Sequence, residues 1–134
     1  MVAGMGESAG TALDQERYIS LETFRRDGSG VQTPVWMAAL DGRLVIFTDG
    51  TSYKVKRLRN NPKCRVAGCD ARGKVHGAWH DGSCAILSDP AQIARAYAAL
   101  RKKYGWQMRL LDLFAFIGRR ISRRAVLEVA LASG

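Results

Sequence analysis

Cysteine is scarce in this chain of 134 residues, which has only Cys64, Cys69 and Cys84. An odd number of cysteines without a CxxC spacing argues against a disulfide framework and against a tetrahedral zinc site. We therefore expect each cysteine to pack as a small hydrophobic side chain in a strand.

The usual catalytic sequence motifs are also missing. The sequence has no GxSxG, no Walker loop and no dinucleotide-binding glycine fingerprint. His76 and His80 stand four apart in a predicted strand, which places them about 13 Å apart, too far to share a metal ion. An enzyme built from this chain would need a cofactor to supply its chemistry.

Long apolar runs are absent as well. The longest apolar segment, 110–117, is interrupted by Asp112 and falls far short of the roughly 20 residues that a membrane-spanning helix needs. Residues 1–12 have neither a basic start nor an apolar run, so no signal peptide is predicted. We expect a cytoplasmic protein with a single domain over residues 1–134, of which residues 1–15 form a flexible leader.

Positive charge, by contrast, is abundant. Lysine and arginine number 21 against 12 aspartates and glutamates, giving a net charge of +9. A surplus of this size favours an anionic partner, such as nucleic acid, acidic lipid or a ligand rich in phosphate and carboxylate. Composition alone does not choose among these three.

The hydrophobic pattern predicts a small antiparallel barrel. Strands are indicated by period-two alternation and by β-forming runs between turn signals. They cover residues 18–24, 31–40, 43–48, 63–69, 75–87 and 125–132. We expect a bulge or kink at Asp81-Gly82, inside the fifth of them.

Helical spacing predicts three helical segments. The first covers 51–61 and stops at Pro62, and the second begins after the N-cap Asp89 and breaks at Gly105. The third, 106–120, is apolar over too wide an arc for a surface helix. It must be sandwiched, docked on a partner chain or lining an apolar groove.

The first helix is strongly basic, and its start is the first candidate site. Lys54 lies early in the helix, where free N–H groups and the helix dipole suit a phosphate, and Ser52 supplies a hydroxyl. Lys56, Arg57 and Arg59 add further charge. A solvated basic face remains the alternative interpretation.

The segment Thr33-Pro34-Val35-Trp36 is the second candidate site. Because proline cannot donate to a sheet ladder, Pro34 should lie in an edge strand or at a bulge, where neighbouring backbone groups are free. A flat heterocycle near Trp36 could use that opening. The alternative is an ordinary edge proline beside a core tryptophan.

These segments together resemble a known superfamily. The motifs are Tyr18-Ile-Ser-Leu, Arg26-Asp-Gly, Gln32-Thr-Pro-Val-Trp36, Leu44-Val-Ile-Phe-Thr48 and Lys54-Val-Lys-Arg-Leu-Arg-Asn-Asn-Pro62. In order and spacing they resemble the pyridoxamine-phosphate-oxidase-like split β-barrel flavoproteins. Within that superfamily the chain is most similar to the actinobacterial F420-dependent branch, the B-type flavin/deazaflavin oxidoreductases.

The resemblance implies a mainly β, six-stranded antiparallel split β-barrel with flanking helices, which forms a homodimer with cofactor sites at the interface. It assigns the cofactor phosphate to Lys54, the ring system to the segment from Thr33 to Trp36, and a wall from the partner chain to residues near Trp79. The implied cofactor-binding residues are Thr33, Pro34, Val35, Trp36, Thr48, Ser52, Lys54, Lys56, Arg57 and Trp79. No catalytic side chain and no metal are implied.

The implied function is an F420H2-dependent reductase that passes a hydride to a small, unsaturated and fairly apolar substrate. F420 ends in a phosphate and an oligoglutamate tail. A basic channel therefore suits F420 better than FMN, because F420 carries more negative charge. Candidates for that channel are Arg25, Arg26, Arg59, Arg119, Arg120, Arg123 and Arg124. The alternatives are an FMN-binding oxidase or reductase, a non-catalytic F420 carrier, and a basic module for nucleic acid or anionic membrane. The sequence favours the enzyme over a nucleic-acid binder, because aromatic residues are not interleaved with basic ones on the strands.

Overall fold

Seven antiparallel strands form one sheet in the computed structural model, which describes residues 12–50, 52–105 and 124–132. The sheet order is β2-β1-β5-β6-β7-β4-β3. The strands are β1 (Tyr18–Phe24), β2 (Gly30–Val35), β3 (Met37–Leu40), β4 (Arg43–Asp49), β5 (Lys63–Cys69), β6 (His80–Ile86) and β7 (Arg124–Leu131). Helix α1 (Tyr53–Asn60) follows β4, and helix α2 (Pro90–Tyr104) follows β6.

The sheet curls into a half-barrel because of the connection between β2 and β3. These strands lie at opposite edges of the sheet, yet only Trp36 separates them in the chain. Since one extended residue advances about 3.3 Å, the two edges must approach each other. The single strand predicted over 31–40 is therefore wrong at Trp36, and the predicted six strands become seven.

Two apolar clusters fill the two faces of this curled sheet. The inner cluster contains Ile19 and Leu21 of β1, Leu44 and Ile46 of β4, and Leu58 of α1. Along each strand these residues alternate with side chains on the outer face, as a half-buried strand requires. Helix α1 thus closes the inside of the half-barrel.

Helix α2 covers the outer cluster. Its buried residues Ala96, Leu100 and Tyr104 pack against Val45 of β4 and Val126 of β7. The helix therefore holds β3, β4 and β7 together from outside.

The ends of α2 follow the predicted capping pattern. Asp89 accepts a hydrogen bond from the backbone N–H of Gln92 at 3.2 Å, and Pro90 occupies the first turn. The helix ends at Tyr104, and Gly105 follows with φ +59°. Both predicted boundaries are confirmed.

Of the bulge or kink predicted at Asp81-Gly82, the bulge is wrong. Gly82 pairs in continuous register with Cys64 on β5 and with Leu131 on β7. The glycine serves a close backbone approach instead, because a Cβ at this position would lie 2.9 Å from the carbonyl oxygen of Ala130.

The strand predicted from residue 75 begins only at His80, and residues 70–79 form a loop with a single bridge between Val75 and Cys69. The Asp70 carboxylate fixes the start of the loop by accepting from the N–H groups of Arg72 and Lys74, each at 2.9 Å. These bonds compete with strand pairing for the same backbone donors.

The structure also bears on the predictions for the N-terminal leader, the cysteines and the third helix. Leu13 packs in the inner cluster and Asp14 accepts from the N–H of Ala39 at 3.0 Å, so the leader predicted over 1–15 is too long. The three cysteines are free and buried, as predicted. The helix predicted over 106–120 lies outside the described residues. No helix in the described segments is long and apolar enough to cross a membrane.

Candidate functional site

The start of α1 brings three of the predicted cofactor-binding residues together. Lys54 Nζ donates to Thr48 Oγ1 at 2.9 Å, which ties the helix to the end of β4. Ser52 is the N-cap residue, but its hydroxyl makes no capping bond. That hydroxyl oxygen is buried and has no hydrogen-bond partner among the described residues. A buried polar atom without a partner is costly, and here it lies beside a lysine and a helix N-terminus.

Arg57 extends this group along α1. It lies three residues after Lys54, so the two side chains share a helix face. Arg57 Nε donates to Thr23 Oγ1 at 2.7 Å, and Thr23 is buried on the inner side of β1. Partial burial, together with the nearby charge of Arg25, lowers the pKa of the Arg57 guanidinium. Sequence reasoning did not single out Thr23 as a site residue, although the alternation places it on the same face of β1 as Ile19 and Leu21.

The other basic residues of α1 point to solvent. Lys56 is exposed and its ammonium lies 5.2 Å from the centre of the Tyr53 ring, which is itself 75% exposed. Arg59 is exposed too. For these two residues the structure fits the interpretation of a solvated basic face.

Residues Thr33, Pro34 and Val35 lie on β2, which is an edge strand, as the proline predicted. Pro34 pairs with Ser20 on β1. The Ser20 hydroxyl is buried and has no hydrogen-bond partner in the described part of the chain. Sequence reasoning did not single out Ser20.

Trp36 packs outside the half-barrel, under α2. Its ring stacks on Tyr104 at a centroid distance of 4.4 Å and 8° between planes, and it meets Phe47 edge-on at 6.3 Å. The Tyr104 hydroxyl accepts from the N–H of Met37 at 3.0 Å, which fixes the junction between β2 and β3. The side chain of Trp36 is thus partly buried in the outer cluster, on the opposite face of the sheet from α1.

Trp79 lies on a third surface, the outer face of β5. The Arg65 guanidinium lies 4.8 Å from the Trp79 ring centre and forms a 2.6 Å ion pair with the buried carboxylate of Glu22. Gln32 donates to the same carboxylate at 3.3 Å. Arg65 and Glu22 alternate with inward-facing Val66 and Leu21, so this group faces away from α1.

The two histidines do not form a metal site in the described structure. His76 Nε2 lies 2.8 Å from Glu16 Oε2 in the loop before β6, and His80 lies in β6 itself. Over residues 12–50, 52–105 and 124–132, no group of three His, Cys, Asp or Glu side chains is placed to hold a metal ion.

The chemistry available at α1 is anion binding. Lys54 and Arg57 place two basic side chains on one helix face, Ser52 and Thr48 supply hydroxyls, and the N-terminus of α1 favours an anion. Such a set suits a phosphate ester. None of these groups is a redox centre, so any redox reaction would depend on the bound ligand.

Comparison with known families agrees with this architecture. The family model described as "Pyridoxamine 5'-phosphate oxidase" matches residues 5–134. The chain belongs to the pyridoxamine 5'-phosphate oxidase family. No curated protein sequence matches the chain.

Several solved structures share the fold at low sequence identity. A conserved hypothetical protein of Mycobacterium tuberculosis is 20% identical, with TM-score 0.66 and coverage of 90% of this chain and 76% of that one. HutZ, the heme storage protein of Vibrio cholerae, is 11% identical, with TM-score 0.69 and coverage of 96% and 91%. A FAD-binding protein of Mesorhizobium loti is 20% identical, with TM-score 0.62 and coverage of 92% and 85%.

At these identities the likeness establishes the fold alone. The relatives bind different groups by name, one FAD and one heme, so the split barrel does not by itself choose a cofactor. The cofactor therefore has to be inferred from the residues of this chain.

Proposed function

We propose that this protein is an oxidoreductase that uses the deazaflavin F420 and reduces a small, unsaturated, fairly apolar molecule. The observation that carries the proposal is the start of α1, where the buried Ser52 hydroxyl lacks a hydrogen-bond partner among the described residues, beside Lys54 and Thr48. A cofactor phosphate would give that hydroxyl a hydrogen-bond partner next to the helix N-terminus.

The residues present fit a phosphate-bearing ring cofactor. Ser52, Lys54 and the first N–H groups of α1 would hold the phosphate, with Arg57 one turn further along. The backbone of the β2 edge, from Thr33 to Val35, would hold the ring system, since an edge strand has backbone groups free of a neighbouring strand. When bound, the cofactor supplies the hydride chemistry.

The chain's own contribution is then positioning and electrostatics. Lys54, held by Thr48, presents its charge at a fixed place, so little side-chain entropy is lost on binding. The half-barrel core behind α1 excludes water from one side of the site. The net charge of +9 favours F420, whose tail is acidic, over FMN.

Titration of the purified protein with F420, FMN and hemin tests this proposal. Ring fluorescence reports the first two ligands and the Soret band reports hemin. We expect F420 to bind most tightly. Lys54→Gln should weaken binding about tenfold or more, because a charge-assisted bond is worth roughly 1.5–3 kcal/mol. Lys102→Gln, an exposed lysine of α2, serves as the matched control and should change affinity less than twofold.

Each outcome distinguishes one alternative. Tighter binding of FMN than of F420 selects the flavin enzyme. Hemin binding, seen as a Soret shift that neither Lys54→Gln nor Lys102→Gln changes, selects a heme protein. Binding of F420 without oxidation of F420H2 by a panel of enones and quinones selects the carrier. No binding of any of these ligands ends the proposal.

A further inference from the structure

A second cationic feature lies at the opposite end of α1 from Ser52. A surface pocket of about 510 Å³ opens between the end of α1 and the turn that joins β1 to β2. Its lining residues are Phe24, Arg25, Arg26, Arg57, Asn60 and Asn61. Three guanidinium groups and two amides therefore surround the pocket, and none of its described lining residues is acidic.

The positions of the arginines are fixed by local structure. The Arg25 N–H donates to the Ser29 carbonyl at 2.9 Å, which closes the turn, and Arg25 Nη1 reaches Ser29 Oγ at 3.3 Å. Arg57 is fixed through Nε to Thr23, so both of its Nη groups remain as donors. Arg26 is exposed and has no hydrogen bond or ion pair within the described residues.

None of the described residues that line the pocket is acidic. Asp27, in the same turn, is exposed, and its carboxylate accepts from the Ser29 N–H at 2.9 Å and from Ser29 Oγ at 2.7 Å. These hydrogen bonds and the nearby charge of Arg25 lower the pKa of Asp27, so Asp27 offsets part of the Arg25 charge from outside the pocket lining. Arg25 and Arg57 are close enough that the charge of Arg25 lowers the pKa of Arg57. An anion in the pocket would offset this repulsion and could take bidentate bonds from the guanidinium groups.

We propose that the pocket of Arg25, Arg26 and Arg57 binds a ligand that carries several phosphate or carboxylate charges, at a subsite separate from the start of α1. This chemistry has two sources. One is the acidic tail of an F420-type cofactor whose phosphate lies at Ser52 and Lys54, and this case rests on the proposed function. The eight residues of α1 place the two subsites about 12 Å apart, a length that a chain of a few residues spans. The other source is a free polyanion.

Calorimetric titration at low salt with inorganic triphosphate tests the pocket without any cofactor. The test variant is the double substitution Arg25→Gln/Arg26→Gln, and the matched control is Arg72→Gln. Arg72 lies in the turn after β5, about 20 Å away at the other end of β1 and β5. We expect triphosphate to bind the native chain and R72Q with similar affinity. In the double variant we expect the affinity to fall by about tenfold or more.

A second arm identifies the source by comparing F420 with and without its oligoglutamate tail. If the tail occupies the pocket, the double variant weakens binding of the tailed cofactor and leaves the tailless one unchanged, whereas K54Q weakens both. If no F420 binds but triphosphate binding depends on Arg25 and Arg26, the proposed function fails and the pocket serves a free polyanion. If the double variant binds triphosphate and tailed F420 as the native chain does, the inference is overturned.

Discussion

The Tyr104 hydroxyl tests how α2 fixes the junction between β2 and β3. It accepts from the Met37 N–H at 3.0 Å, and it can donate to the Arg17 carbonyl at 2.9 Å or the Met37 carbonyl at 3.0 Å. Tyr104 is 3% exposed and Met37 is fully buried. Tyr104→Phe removes these bonds and keeps the ring that stacks on Trp36.

The size of the effect follows from what is left behind. Because the ring stays, the apolar area buried by residue 104 is nearly unchanged, and no large cavity opens. The Met37 N–H loses its acceptor in a place that water does not reach easily. An unsatisfied buried donor costs about 1–3 kcal/mol, so we expect the free energy of unfolding to fall by that amount. Against a domain stability of about 5–15 kcal/mol, this loss is readily measured.

Urea unfolding followed by circular dichroism and by tryptophan fluorescence measures the change. Tyr97→Phe is the matched control, because Tyr97 lies on the same helix and its hydroxyl makes no hydrogen bond among the described residues. We expect it to lose less than about 0.5 kcal/mol. Equal losses in Y104F and Y97F would refute the role assigned to the hydroxyl.

A comparison of the native protein with Y104F also gives a pH dependence of the free energy of unfolding with a defined sign. Burial raises the pKa of Tyr104 to about 12, from 10.0 in the absence of burial. The ionised form is therefore disfavoured in the folded state, and the native protein loses stability as pH rises from 10 to 12. Y104F lacks this group, so the stability difference between the two proteins should narrow over that interval and stay constant below it.

Two further substitutions test the sheet. Gly82→Ala should destabilise by about 1–3 kcal/mol in thermal or urea unfolding, because the new Cβ would meet the Ala130 carbonyl across β7; an unchanged midpoint would contradict the close approach. Glu22→Gln should cost about 1.5–3 kcal/mol, since Arg65 loses the carboxylate of its partly buried pair. The more exposed ion pair between Arg43 and Glu128 is the matched control. Glu128→Gln should lower the free energy of unfolding by less than about 1 kcal/mol, and equal losses in the two variants would contradict this difference.

Local signals explain why most elements could be predicted. The alternation over β1, the Asp89 cap and Gly105 are each short-range features, and short-range features survive folding. Pro34 predicted either an edge strand or a bulge, and the structure has the edge strand.

The errors arose where long-range packing overrides local pattern. Nothing local distinguishes Trp36 from a strand residue. The predicted strand breaks there because β2 pairs with β1 and β3 pairs with β4, at opposite edges of the curled sheet. Gly82 looked like a bulge, but the approach of β7 explains it. In the candidate site, Lys54 and Thr48 are joined by a hydrogen bond that the sequence did not predict. The contact between Thr23 and Arg57 likewise depends on the packing of α1 against β1.

The predicted site residues lie on different faces of one chain, and this placement leads to a prediction about assembly. Lys54 lies at α1 on the inner side of the half-barrel, and Trp79 lies on the outer face of β5. If both residues contact one cofactor, as the resemblance implies, Trp79 must reach it from a second copy of the chain. A site shared between two copies can be rebuilt from two defective proteins, whereas a site within one chain cannot.

Mixing the variants Lys54→Gln and Trp79→Ala, each of which is expected to bind the cofactor weakly by itself, therefore decides the question. In a mixed dimer, one site combines both substitutions and the other combines the native Lys54 of one copy with the native Trp79 of the other. Random exchange at equal amounts makes half of the dimers mixed, so about a quarter of all sites should recover cofactor binding. Fluorescence titration of the mixture measures this fraction, with each variant alone as the control. If the mixture binds no more than the two variants alone, although subunit exchange has been shown to occur, Lys54 and Trp79 do not form a shared site.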